Sequence, residues 1–253
     1  MYNEILNIGS LTIHGFGLMV AIGLLCAILL ASKRAKTRNL SPDIVHSLSL
    51  ISLVFGFLGA KLLYALVNLD VLISNPIQVL SGSGFVVYGG IIGGVLAAIV
   101  FCKLKNVRFL PYFDLVAPSI AVAQGFGRIG CLLAGCCYGR ETDSIICIVF
   151  HNSTIAPNGV SLVPTQIISS LAAFLLAVIL LIYSRNEKTD GKTAALYLVL
   201  YSAGRFIIEY FRSDYRGSIG SLSTSQFISI FIFVFGILMT GCLKYWRKKK
   251  DAS

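Results

Sequence analysis

The sequence predicts an all-α polytopic integral membrane protein, and three observations carry that prediction. Apolar runs of about 20 residues recur along the chain, each long enough to cross a hydrocarbon core as a helix. Charged residues are 13% of the 253, roughly half of what a soluble domain carries, and the mean hydropathy is +0.83. The basic residues are gathered in short clusters beside the apolar runs, the arrangement that orients helices in a bilayer.

Taken in order, residues 1–11 are a weakly charged lead without the basic start of a secretory signal. Residues 13–31 form the first span, and Lys33, Arg34, Lys36 and Arg38 follow it, which puts the N-terminus outside. The second span is 46–65, with Lys61 near its outer end, and the loop 67–82 holds no lysine or arginine. Span three is 84–101, followed by Lys103, Lys105 and Arg108. Span four, 111–133, runs into a cysteine-rich motif. Residues 138–163 are polar and read as a small external element between spans four and five. Span five is 165–183 with a cytoplasmic loop at 184–192, span six is 193–211, and 212–221 is an external loop containing Arg212 and Arg216. Span seven is 224–243, and residues 244–253 form a basic cytoplasmic tail. The result is one transmembrane domain over 1–253 with about seven spans, N-terminus outside and C-terminus inside.

The net charge of +10 is accounted for by this topology, since fifteen of the 21 basic residues fall in the inside segments. No aromatic-interleaved basic groove is present, so nucleic acid is not an expected partner; anionic lipid headgroups are. Seven cysteines, most of them in apolar segments, read as small buried hydrophobes. No internal repeat or low-complexity tract is evident.

Within the spans, three cations (Lys61, Arg128, Arg205) and one acid (Glu209) stand out, because charge at membrane depth usually marks a functional site or its partner. Arg205 and Glu209 are four apart and share a helix face with Tyr201; Arg212 lies three beyond Glu209. Arg128 stands in GFGRIGCLLAGCCYGR with no acid beside it. Either Glu209 serves both arginines, or the pocket holds surplus positive charge that wants an anion. Guanidinium suits phosphate, and a phospholipid headgroup is the anion most available at the outer end of a span. SGSGFVVYGGIIGG, residues 81–94, opens span three. Its glycines serve as a helix-packing surface, or Gly89 and Gly90 offer backbone N–H groups to an anion with Tyr88 pointing in. Cys131, Cys136 and Cys137 are not spaced as a CxxC and have no histidine nearby, so packing is favoured over a metal or redox site. Pairing of Cys136 or Cys137 with Cys147 is the alternative use. His14, at the start of span one, reads equally as an interfacial or a catalytic histidine. No metal or organic cofactor is indicated.

Six motifs, HGFGLM (14–19), FLGAKLLY (57–64), YGGIIGG (88–94), GRIGC…YGR (127–140), VPTQ (163–166) and YSAGRFIIEYFR (201–212), resemble those of the bacterial prolipoprotein diacylglyceryl transferases over nearly the whole chain. The resemblance implies an enzyme of the bacterial cytoplasmic membrane. It would move diacylglyceryl from phosphatidylglycerol to the lipobox cysteine thiol of a preprolipoprotein, forming a thioether and releasing glycerol phosphate. Arg128 and Arg205 match the family's essential arginines, Glu209 would orient Arg205, Tyr201 would assist on the same face, and Gly139 would close the turn after the motif. His14 and Gln166 lie inside matched motifs and are carried over as substrate-binding residues. The chain departs from the usual pattern at Tyr88, where the family has histidine, and at Cys131, Ala134–Cys136, Val163 and Phe16. A phenol titrates near ~10 against ~6.5 for imidazole, so Tyr88 is a weak base that can still donate to a phosphate oxygen. A related transferase with another acceptor, or a non-catalytic lipid-binding protein, are the competing readings.

Overall fold

Helices cover each of the seven expected runs in the computed structural model, which describes residues 4–8, 11–82, 84–186, 189–214 and 217–251. Arg216 of the expected external loop lies outside the described residues. The long helices are α1 (Gly15–Thr37), α2 (Pro42–Val67), α5 (Val87–Leu104), α6 (Phe109–Ala134), α7 (Thr165–Asn186), α8 (Lys192–Glu209) and α9 (Thr224–Asp251). Six are long and apolar enough to cross a membrane; α8, with Lys192, Arg205 and Glu209 in eighteen residues, is not among them. Leu29, Leu62, Leu171 and Leu238 are each more than 60% exposed, and apolar residues on outward faces require an apolar solvent.

Between the helices lie elements that the apolar periodicity does not announce. Before α1, β1 (Glu4–Ile8) pairs antiparallel with β2 (Leu11–His14), with Glu4 opposite His14. The lysine-free loop contains two single-turn helices, α3 (Leu69–Ser74) and α4 (Pro76–Ser81). Residues 138–163 hold a short antiparallel pair, β3 (Ile148–Val149) and β4 (Ser161–Leu162), over a small core of Phe150, Ala156 and Leu162. A third pair, β5 (Ser218–Ile219) and β6 (Leu222–Ser223), leads into α9.

The chain divides into two compact units. One comprises residues 31–112 and is built on the crossing of α2 and α5. The glycines of the two helices face each other there: a Cβ at Gly90 would sit 3.1 Å from the Gly56 carbonyl, and one at Gly94 would sit 3.1 Å from that of Ser52. Gly59 and Gly89 are packed closer still, against each other's carbonyls. With lipid outside, small residues that let backbones meet replace the hydrophobic effect as the reason two helices stay together. Lys61, expected as an intramembrane cation, is satisfied locally. Its Nζ donates to the Gly82 carbonyl at 2.6 Å and lies 4.8 Å from the centroid of the Phe85 ring.

The other unit comprises 1–30 and 113–253. Its core is made by Ala117 and Ala121 of α6, Leu176, Ala177 and Leu180 of α7, and Tyr197 of α8. Gly23 of α1 rests on Phe126 and Ala123 of α6, and Gly236 of α9 rests on Val199 of α8. One acid in this unit corrects the expectation that Glu209 is the sole acid within a span. Asp114, 2% exposed on α6, accepts from the Gly191 and Ala194 amides at 2.6 and 2.7 Å. Gly191 has φ +93, a conformation that glycine tolerates, so Asp114 caps α8 from a neighbouring helix at the end where a helix dipole favours negative charge.

Candidate functional site

The C-terminal half of α8 carries most of the chemistry. Arg205 and Glu209 meet as their spacing requires, Nη1 to Oε2 at 2.8 Å, with side chains only 12% and 7% exposed. The contact is close but misaligned for a hydrogen bond, leaving donor capacity on Arg205 Nη1. Arg205 Nη2 donates to Ser225 Oγ, a buried hydroxyl at the start of α9, at 2.9 Å. Arg212 reaches Glu209 at 3.9 Å but is held mainly by Asp214, which accepts from both Nε and Nη2 at 2.7–3.0 Å. Glu209 is thus the acid between two arginines, and Arg128 is not one of them.

Arg128 projects from α6 toward a cavity of about 430 Å³ between α6, α7 and α8, which Arg205 and Tyr201 also line. The rest of the lining is mostly apolar, including Phe16, Leu176, Ile179 and Ile208. Among the described residues Arg128 has no hydrogen-bonded or ion-paired partner. Tyr201 stacks on Tyr197, ring centroids 5.6 Å apart and planes 17° from parallel, and Gln124 donates from Nε2 to the Tyr197 hydroxyl at 2.9 Å. The other end of the Gln124 amide is buried on the cavity without a hydrogen-bond partner. Whichever way the amide is turned, one end binds Tyr197 and the other is unspent. Arg128, Arg205 and Glu209 hold a net charge of +1, and adding Arg212 and Asp214 leaves it at +1. A cavity with surplus charge, spare donors and greasy walls suits the headgroup end of an anionic lipid.

The segment after α6 is held by buried polar side chains. Gly135 (φ +72) and Cys137 (φ +62) turn the chain, and the carbonyls of Cys136 and Cys137 accept from Gln166 Nε2 at 2.9 Å and Thr165 Oγ1 at 2.8 Å. Gln166 is 1% exposed and spends its amide on this turn. Gly139 lies past the turn, not in it: it is extended and bridged to Arg212, while Arg140 N–H donates to the Phe211 carbonyl and the Arg140 carbonyl accepts from Val163. A Cβ at Gly139 would strike Val163, so the glycine is required by close approach of three backbone segments. Gly139 therefore ties the ends of α6, α7 and α8 together around the cavity. The turn also gathers Cys131, Cys136 and Cys137, whose sulfurs all lie within 4.8 Å of one another, although their spacing matches no metal motif. The Cys136 thiol, beyond the end of α6, has its pKa raised by hydrogen bonding with Cys131 and Cys137 and by burial. Cys147, the alternative partner, is a free, exposed thiol.

The remaining candidates are His14 and the glycine-rich start of α5. His14 is exposed at the end of β2. Tyr88, Gly89 and Gly90 belong to the 31–112 unit, with Tyr88 half-buried in the first turn of α5. The Gly89 amide donates to the Val86 carbonyl and both glycines face α2. Gln124, Asp214 and Ser225 are contributors that sequence reasoning missed. Gln124, four residues before Arg128, was legible as a polar residue on the same helix face, and Asp214 as an acid two residues past Arg212. Ser225, from a distant helix, had no local signal.

A family model described as prolipoprotein diacylglyceryl transferase matches residues 3–242. The chain belongs to this family. Among its relatives in that family, the phosphatidylglycerol–prolipoprotein diacylglyceryl transferase of Clostridium tetani is 47% identical over 232 residues, covering 91% of this chain and 93% of the relative. The protein named phosphatidylglycerol–prolipoprotein diacylglyceryl transferase 2 of Clostridium perfringens is 47% identical over 247 residues, 96% of each chain. Transferase 1 of the same organism is 33% identical over 251 residues, 96% of this chain and 95% of the relative.

Proposed function

We propose that the protein transfers diacylglyceryl from phosphatidylglycerol to the lipobox cysteine thiol of a prolipoprotein, as its relatives' names describe. The observation that carries the reading at residue level is the pairing of Arg128 and Arg205 on one apolar cavity. The acceptor thiolate attacks the carbon of the diacylglyceryl group that bears the phosphate ester. A C–S bond forms, the C–O bond breaks, and glycerol phosphate leaves with the bonding electrons. A singly charged diester thereby becomes a monoester that takes up the charge of the thiolate. Stabilising that added charge on the leaving phosphate is the largest demand of the step, and two guanidinium groups in a water-poor cavity meet it.

The roles of the other residues follow from their contacts. Glu209 and Ser225 fix the Arg205 fork, and Arg212 with Asp214 holds Glu209 in place. Tyr201 lines the cavity as a hydroxyl donor positioned by its stack on Tyr197. The unspent end of Gln124 is offered to a hydroxyl of the glycerol headgroup. Gly139 and Gln166 act by holding the segment after α6, and Tyr88 contributes a phenol that Tyr88→Phe would reveal. His14, Gly89 and Gly90 have no assigned contact with substrate in this scheme.

The single transmembrane domain is set in a bacterial cytoplasmic membrane with α8 as its sixth span and α9 as its seventh. At 1.5 Å per residue its eighteen residues extend about 27 Å, close to the hydrocarbon thickness of about 30 Å. The N-terminus and residues 138–163 lie outside and the basic tail 244–253 inside. Labelling of single introduced cysteines from either side of intact cells tests this arrangement.

The activity is tested with the full chain in vesicles containing phosphatidylglycerol and a lipobox peptide. A peptide mass increase equal to one thioether-linked diacylglyceryl group supports the reading. Phosphatidylglycerol consumption without peptide modification indicates another acceptor, and lipid binding without consumption indicates a non-catalytic protein.

A further inference from the structure

The three cysteines that close the motif after α6 bring their sulfurs together, all within 4.8 Å of one another. Cys131, Cys136 and Cys137 come from the last turn of one helix and the turn beyond it, and the left-handed conformations of Gly135 and Cys137 fold them back on one another. The Cys137 sulfur lies 3.8 Å from that of Cys131 and 3.7 Å from that of Cys136. A metal–sulfur bond of about 2.3 Å requires sulfur–sulfur edges of about 3.8 Å in a tetrahedral set and about 4.0 Å in a trigonal one. Two of the three edges already have that length, and the third is no longer than 4.8 Å.

Two further features fit a cation. The backbone of the turn is fixed from outside, since Gln166 and Thr165 hold the Cys136 and Cys137 carbonyls. Outer groups that fix the ligand-bearing backbone are what a preformed metal site needs. The second feature is charge. A divalent ion held by three thiolates has a net charge of −1, which is costly in apolar surroundings unless a cation stands nearby. Arg128, one helical turn before Cys131 and lining the same cavity, has no ion-paired partner among the described residues.

We infer that Cys131, Cys136 and Cys137 form a three-thiolate site for a soft divalent cation of the zinc and cadmium class, set in the wall of the donor cavity. Hard cations are not suited to it, because all three ligands are sulfur. On binding, each thiol releases its proton to solvent and forms one metal–sulfur bond, with no change of oxidation state. The site does not depend on the transferase reading, and its readout is metal binding alone.

The test is titration of the reduced, purified full chain in detergent with Cd²⁺, followed by thiolate-to-metal charge-transfer absorption, and with Zn²⁺ against a chromophoric chelator. One equivalent of either ion should bind. Cys131→Ser, Cys136→Ser and Cys137→Ser should each weaken binding at least about tenfold, the scale on which even outer-sphere partners act. Cys147→Ser and Cys242→Ser should leave the titration unchanged. X-ray absorption of the zinc-loaded wild type gives a second reading that needs no variant: three sulfur neighbours at about 2.3 Å are expected. Equal affinity in wild type and Cys137→Ser, dependence on Cys147 or Cys242, or a coordination shell of nitrogen and oxygen alone would overturn the site.

Discussion

Asp114 and Arg128 are charges on the same helix, and their surroundings differ in one respect. Asp114 is almost fully buried and receives two backbone amides from the start of α8, so its demand is met within the fold. Arg128 faces a cavity and, among the described residues, receives nothing. Lys61 in the other unit behaves like Asp114, with a carbonyl and two aromatic rings around its ammonium group. A charge placed in a bilayer by sequence is therefore not a site in itself. It becomes a candidate site when the neighbouring atoms leave its demand unmet, and Arg128 with the spare capacity of Arg205 meets that criterion.

The contrast is sharpened first by removing each charge. Arg128→Ala should lower the rate of thioether formation by about 10²–10³, the loss typical of one charge-stabilising donor, while leaving thermal unfolding in detergent nearly unchanged. Asp114→Ala should show the reverse: a destabilisation of about 2–4 kcal/mol from two lost charge-assisted hydrogen bonds, with turnover per folded molecule largely kept. A stable, inactive Asp114→Ala would break the division between structural and functional charge. Gly59→Leu should act through packing alone, reducing the folded yield because the α2–α5 crossing has no room for a side chain.

Seven helical runs and the Arg205–Glu209 pair were readable because both depend on spacing along one helix. The rest depended on what distant segments do. The pair of strands β1 and β2 and the short helices α3 and α4 lie outside the apolar periodicity that announces a span. Asp114 was passed over as an intramembrane acid, and its partners come from residues far along the chain. The three cysteines were read as packing because i, i+5, i+6 matches no motif, and two left-handed residues in the turn bring their sulfurs together. Gly139 was expected in a turn, whereas its extended backbone is bridged to Arg212 and packed against Val163, contacts set by the ends of two other helices.

Smaller effects refine the cavity side of the comparison. Tyr201→Phe keeps the ring stack and removes one donor, so a loss of about fivefold in turnover is expected from one hydrogen bond of about 1 kcal/mol. Ser225→Ala should cost a similar or smaller factor by loosening the Arg205 fork, read as a change in turnover at saturating lipid. Gln124→Leu should reduce the preference for phosphatidylglycerol over a phospholipid without the glycerol hydroxyls, measured by competition between the two in mixed vesicles.

The most direct measurement is binding of phosphatidylglycerol to the full chain in discs of neutral lipid, wild type beside Arg128→Ala, read by native mass spectrometry with no acceptor peptide present. Retention of phosphatidylglycerol by wild type and its loss from a folded Arg128→Ala would show that the unmatched guanidinium holds the phosphate. Equal retention by both proteins would contradict that assignment and place the headgroup somewhere other than this cavity.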